Sequence, residues 1–272
     1  PRGRTDEESI AMKALRRLFK SAPPPPPPPP PFRGDLPRPD QPFAAVGDIH
    51  GCRGHLEKLW ARLDREAPGA RIVHVGDYVD RGDHSADVLR MLFRREREQG
   101  DIVCLTGNHE QMFLDFLDDP AGKGKRWLQF GGLQTLASFG LSGIGDAVSA
   151  RDYGQIRDAV LEALGAEMTA WLKSLPLSWQ SGNLAVVHAG ADPRLPIAEQ
   201  PPENLTWGHR AFGALPRRDG LWIVHGHTVV PMPSMSNGII SLDTGAYASG
   251  RLTAAILRPD REVEFIQVDA GG

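Results

Sequence analysis

The chain has 272 residues, 40% of them apolar and 24% charged, which is enough to bury a large core and excludes disorder throughout. Lys and Arg number 31 against 34 Asp and Glu, a formal net charge of -3. That balance argues against a dedicated nucleic-acid binder, which carries a basic excess, and no apolar run approaches the roughly 18–20 residues of a membrane-spanning helix. Two cysteines, Cys52 and Cys104, are too few for a disulfide framework and read as reduced thiols of a cytoplasmic protein.

In chain order, residues 6–20 place apolar groups at Ile10, Ala14, Leu15, Leu18 and Phe19, the spacing of a short amphipathic helix. Half of the 24 prolines then lie between Pro23 and Pro42, and those from Pro23 to Pro31 are consecutive. Such a run has no backbone donors and a fixed φ, so it predicts an extended polyproline II spacer. Residues 1–42 are therefore expected to be a disordered tail, either a plain tether or a docking ligand for a partner with an aromatic-lined groove. Its removal is expected to leave turnover of small substrates almost unchanged.

From Phe43 the pattern changes to short apolar runs alternating with helical stretches. Strands are predicted at 43–46, 71–75 and 101–105, with helices at 55–65 and 85–98. This β-α-β-α-β series implies parallel strands covered by helices, an α/β domain over 43–269. A helical cap insertion is expected over about 111–175, broken at Gly131-Gly132 and Gly140 and stopped by Pro176. Strands return at 184–187, 221–224, 238–242, 252–257 and 263–268.

The chemistry-bearing residues follow the strands. Gly47-Asp48-Ile49-His50-Gly51 follows the first, and Gly76-Asp77-Tyr78-Val79-Asp80-Arg81-Gly82 the second. Gly107-Asn108-His109-Glu110 follows the third, and His188-Ala189-Gly190 and His225-Gly226-His227-Thr228 follow later ones. Ligand sites of open α/β sheets form at the carboxyl ends of strands. Taken singly, an Asp there reads as a turn former or helix cap, and a strand histidine as a hydrogen-bonded core group. Recurring five times in the same form, they predict convergence of Asp48, His50, Asp77, Asn108, His188 and His227 on one point. These are oxygen and nitrogen donors without thiolate, suited to Mn, with Fe or Zn as alternatives. The set is too large for one ion that keeps room for water. It suits two divalent ions with a shared carboxylate, the arrangement that drives in-line displacement at phosphorus.

As a series, GDIHG, GDYVDRG, GNHE, HAG and HGHT resemble the phosphoprotein phosphatase family of metal-dependent serine/threonine phosphatases, in its bacterial and phage-type branch. The run Ser241-Leu242-Asp243-Thr244-Gly245-Ala246, followed by Leu252-Thr253, also resembles that branch, and the likeness covers roughly residues 43–268. It implies a metallophosphoesterase-type four-layer α/β/β/α sandwich with a small helical cap. It further implies Asp48 and His50 on one metal, Asp77 between both, and Asn108, His188 and His227 on the second. His109 would be the acid for the leaving oxygen, Asp80 its orienting partner, and Arg81 and Asn108 phosphate contacts. Arg210, in Trp207-Gly208-His209-Arg210, is the candidate second phosphate-binding arginine, although its spacing differs by one residue from the family's Trp-x-Arg. Thr106 occupies the place of an arginine that many members carry before GNHE, and His225 is expected to be structural. Tryptophan 127 reads as a core residue of the cap, while His55, His74 and His84 read as structural or solvated.

The resemblance implies a phosphorylated protein or peptide as substrate. A symmetrical diadenosine tetraphosphate hydrolase or a broad phosphomonoesterase is the alternative; Glu110 and the intact Asp80-Arg81 pair argue against the former. A non-catalytic scaffold that works through the proline tail is the remaining reading, and the complete donor set argues against it.

Overall fold

A computed structural model describes residues 31–141 and 149–269. The expected amphipathic helix at 6–20 and all but the last proline of the consecutive run lie outside the described residues. Two five-stranded mixed sheets face one another. The first is ordered β10-β9-β1-β2-β3, from β1 (Phe43–Val46), β2 (Arg71–His74), β3 (Ile102–Cys104), β9 (Arg251–Leu257) and β10 (Glu264–Asp269). The second is ordered β4-β5-β6-β8-β7, from β4 (Ser178–Ser181), β5 (Leu184–Val187), β6 (Trp222–His225), β7 (Ser234–Ser236) and β8 (Ile239–Ser241).

Strand alternation produces the layers. Phe43 and Ala45 face inward with Val73, Val186, Val224 and Ile240, a core held between the sheets. Their neighbours Ala44 and Val46 face outward, under α1 (Arg53–Glu66) and α2 (Ser85–Glu98). Helix α1 buries Leu56, Leu59 and Leu63, one helical stripe. Beyond the second sheet, Ala185, Val187 and Ile223 pack against Ile197 and Leu205. Both faces of the central strands are covered, so β1 is buried along its length.

The parallel pairs β1–β2 and β2–β3, and β5–β6 and β6–β8, direct their carboxyl ends to loops that carry the five motifs. Over them lie α3 (Asn108–Asp118), α4 (Pro120–Trp127), a π-helical turn (Leu128–Gly132), α5 (Leu133–Ser138) and α6 (Ala150–Ser174). Gly131 turns with φ 109°, and its carbonyl accepts from the Arg81 N–H at 3.3 Å. A Cβ there would stand 2.6 Å from the Arg81 nitrogen, so glycine is required for this approach.

Two features differ from expectation. Strands β4 and β7 were not foreseen, because Ser-Trp-Gln-Ser and Ser-Met-Ser are polar edge strands without an apolar signature. The packed body also begins at Phe32 rather than Phe43. The Phe32 ring meets Trp222 edge-on at 5.0 Å, and the Trp222 indole N–H donates to the Asp35 carbonyl at 2.8 Å. The Arg38 N–H donates to Asn183 Oδ1, and Asp40 exchanges hydrogen bonds with Ser181 and Gly182. Composition marked this segment as linker, but its partners lie far along the chain and its composition does not report them.

Candidate metal centre

Each motif sits where a strand ends in a sharp turn. Among the described residues, six other than glycine have positive φ, and five of them are His50, Asp77, Asp80, Arg81 and His227. Left-handed backbone at side chains that ordinarily avoid it is the kind of strain that gathers at functional sites. Close packing of the loops adds to it. A Cβ on Gly226 would fall 1.9 Å from Asp48 Oδ1, so only glycine lets the HGHT turn meet the first motif.

At the centre stands Asp77. Its Oδ2 faces His50 Nε2 at 3.5 Å and His109 Nε2 at 4.0 Å. Its Oδ1 faces His188 Nε2 at 3.4 Å. Asn108 Oδ1 lies 2.8 Å from His188 Nε2 and 2.9 Å from His227 Nδ1. Donor atoms thus fall into two groups, His50, Asp77 and His109, and Asp77, His188 and His227, with Asp77 common to both. Asp48 anchors the second group, because its carboxylate accepts the His227 N–H at 2.9 Å.

The tautomers follow from the carbonyls behind the rings. His50 Nδ1 lies 2.7 Å from the Val79 carbonyl and His188 Nδ1 3.1 Å from the Val75 carbonyl. A carbonyl only accepts, so each Nδ1 carries the proton and each neutral ring aims an Nε2 lone pair at Asp77. Lone pairs facing a carboxylate require positive charge between them. Burial lowers the pKa of His50 to about 3 and of His188 to about 4, so both rings are neutral near pH 7. Burial pushes the Asp77 carboxyl up, but the facing His188, His109 and His50 imidazoles hold it well below its ordinary range. Asp48 is driven up by burial and by the neighbouring carboxylates of Asp243 and Asp77. Crowded acceptors and neutral imidazoles are the donor chemistry that two divalent cations fit.

Beside this group, His109 Nδ1 lies 2.6 Å from Asp80 Oδ2. Asp80 also accepts from Trp127 Nε1 at 3.0 and 3.1 Å and from Thr135 Oγ1 at 2.7 Å. Burial lowers the His109 pKa, yet Asp77 and Asp80 outweigh it and raise the group overall. Arg81 Nη2 approaches His109 Nε2 at 3.1 Å, and Arg81 Nη1 donates to the Tyr247 hydroxyl at 2.9 Å.

Glu110 accepts from the backbone N–H groups of Asp77, Tyr78, Val79 and Gly107, between 2.7 and 3.2 Å. It thereby ties the second motif to the third. The sequence uses Glu110 only as a discriminator and gives no role to Thr135 or Asp243, while Trp127 is both core and hydrogen-bond donor. The glutamate directly after Asn-His was the available signal; Thr135 carried none. Arg210 does not join the cluster. It is exposed and makes no hydrogen bond or ion pair among the described residues, because Gly208 (φ 85°) breaks the preceding helix and the chain turns His209 toward Asp192. His225 is structural, held by Ser241 Oγ at 2.9 Å.

Residues 41–231 match the model of the calcineurin-like phosphoesterases. An asymmetrical bis(5'-nucleosyl)-tetraphosphatase, PrpE, of Bacillus velezensis is 27% identical over 232 residues, which cover 76% of this chain and 86% of the relative. The enzyme of the same name from Oceanobacillus iheyensis is 26% identical over 246 residues, 82% of this chain and 90% of the relative. A solved structure provisionally described as a diadenosine tetraphosphatase superposes with a TM-score of 0.59 at 22% identity, over 89% of this chain and all of the other. A protein serine/threonine phosphatase from Saccharomyces cerevisiae gives 0.54 at 16% identity, over 86% of this chain and 81% of the other.

Proposed function

Because this chain belongs to the calcineurin-like phosphoesterase family, with the two-sheet metallophosphoesterase fold and a hydrolase's centre, we propose that it uses two divalent cations, Mn foremost, to hydrolyse phosphoric esters and anhydrides. The observation that carries the reading is the carboxylate of Asp77, whose two oxygens serve both donor groups. Asp48, His50, Asp77, Asn108, His188 and His227 would hold the cations. Such a pair supplies an activated water and neutralises phosphate charge.

The chain's own residues do the rest. Asp80 fixes the His109 ring through Nδ1–H, so that Nε2 is the atom that hands a proton to the departing oxygen. Arg81 stands at the rim, where its planar fork can grip phosphate oxygens. Burial of Asp77, His109 and Asp80 strengthens the electrostatic interactions among them.

For the substrate, the similarity to asymmetrical tetraphosphatases over most of this chain supports a dinucleoside tetraphosphate cut into a triphosphate and a monophosphate. The intact Asp80-Arg81 pair with Glu110 supports a second reading, phosphoserine and phosphothreonine in proteins. Protein loaded with Mn should hydrolyse p-nitrophenyl phosphate, and Asp77→Asn should lose both activity and bound metal. Full activity of a folded Asp77→Asn enzyme refutes the two-metal reading. Rates on diadenosine tetraphosphate and on a phosphoserine peptide, measured side by side, decide the substrate.

A further inference from the structure

A cavity of about 600 Å³ opens between α3, α4 and α7 (Pro202–Trp207), and none of the five motifs accounts for it. Its volume is that of a small-molecule site. Trp127 forms the wall shared with the catalytic centre: it lines the cavity while its indole N–H donates to Asp80. Trp207 forms the opposite side. Its ring lies 6.5 Å from that of His227, so the cavity adjoins the second donor group.

Trp207 is 37% exposed, unusual for so large an apolar ring. It is nonetheless fixed, because its N–H donates to Gln111 Oε1 at 3.2 Å. The Arg126 guanidinium sits 5.2 Å above the ring, and Lys123 lies on the same helix, one turn earlier. Both cations are exposed, and neither has an ion-pair partner among the described residues. Asp115 and Glu203 complete the polar lining and offer acceptors for amine or hydroxyl groups.

We infer that this cavity is the subsite for the nucleoside part of a nucleoside polyphosphate, with Trp207 as the stacking face for the base and Arg126 and Lys123 as contacts to the phosphate chain. A rigid, half-open indole under a guanidinium suits a planar heteroaromatic ring, which every base supplies. Two cations on the cavity lining, without an ion-pair partner among the described residues, suit the polyanion that follows the base. The inference rests on the dinucleotide reading of the substrate and extends it to residues that no motif contains.

The test is equilibrium binding of ATP and of tripolyphosphate, which lacks the base, to the Mn-loaded protein carrying His109→Asn, which removes the acid for the leaving oxygen and so slows consumption of either ligand. Trp207→Ala should weaken ATP about tenfold and tripolyphosphate far less. Arg126→Ala and Lys123→Ala should weaken both ligands. Equal losses of ATP and tripolyphosphate in Trp207→Ala, or no loss of either, overturn the assignment. So does a phosphoserine peptide that depends on Trp207 more than ATP does. The binding ratio needs no turnover, so an enzyme inactive on p-nitrophenyl phosphate would defeat the hydrolase reading while the subsite is still decided.

Discussion

Asp80 holds His109 from behind, with Oδ2 2.6 Å from Nδ1, while the same carboxylate takes hydrogen bonds from Trp127 and Thr135. Three donors, one of them the ring itself, thus converge on one carboxylate. Asn in place of Asp80 cannot accept from all of them. Asp80→Asn is expected to lower kcat on p-nitrophenyl phosphate about 100-fold, within the range of general acid catalysis, with metal content unchanged. The double variant with His109→Asn should be no slower than His109→Asn alone, because the two residues act as a unit. Additive losses would mean that Asp80 acts elsewhere.

Glu110 is the knot between the second and third motifs. Glu110→Ala would leave the N–H groups of Asp77, Tyr78, Val79 and Gly107 without their acceptor. A buried donor without a partner costs about 1–3 kcal/mol, so the urea midpoint should fall substantially. Bound manganese, measured by elemental analysis, should fall with it, since Asp77 loses its backbone support. Glu110→Gln keeps one carbonyl acceptor and should lie between.

Arg81 is steered by Tyr247, which accepts its Nη1–H and places its ring 4.7 Å from the guanidinium carbon. Tyr247→Phe keeps the ring and removes the acceptor. A hydrogen bond from a charged donor contributes about 1.5–3 kcal/mol, and the lower end applies at this exposed rim, so KM for p-nitrophenyl phosphate should rise about tenfold with kcat little changed. A fall in kcat at constant KM would place the hydroxyl in the chemical step instead.

His74 gives the fold an acid-sensitive element away from the centre. It is buried on β2, accepts from the Trp60 N–H at 3.2 Å, and leaves Nδ1 unpartnered. Burial, aided by the Arg95 charge, lowers its pKa to about 3 from the ordinary 6.5. The unfolded chain therefore binds a proton between these values and the folded chain does not. Its contribution to stability is complete above pH 6.5 and lost as pH falls toward 3, at about 1.4 kcal/mol per pH unit. Urea unfolding at pH 5 and pH 7 should show a smaller pH dependence in His74→Gln than in the parent. An identical slope would mean that other buried histidines account for all of it.

The segment from Phe32 to Asp40 is part of the folded body, so its loss should be felt. Phe32→Ala removes a half-buried ring from Trp222 and should cost about 2 kcal/mol, less than the 3–5 kcal/mol of a fully buried phenylalanine. Deleting residues 1–42 should lower the urea midpoint further, because it also removes the hydrogen bonds that Arg38 and Asp40 make with Asn183, Ser181 and Gly182.

The sequence by itself determined the donor inventory. Glycine-flanked Asp, Asn and His residues after apolar strands are a local pattern, and it was sufficient for the α/β class, the central strands and the six metal-binding candidates. The resemblance implied Asp77 as the shared carboxylate, but the spacing of the motifs did not give the geometry that puts it between two donor groups, because that depends on where β2 ends relative to β5 and β6, more than 100 residues away. Nor could it show that Glu110 clamps a loop, that Trp127 and Thr135 hold Asp80, or that Arg126 lies over Trp207. Those relationships are made by packing two sheets and a helical cap together, and contacts between distant segments leave no periodicity in either one. Edge strands β4 and β7 and the strap at 32–42 escaped for the same reason: their order comes from partners supplied by the rest of the fold.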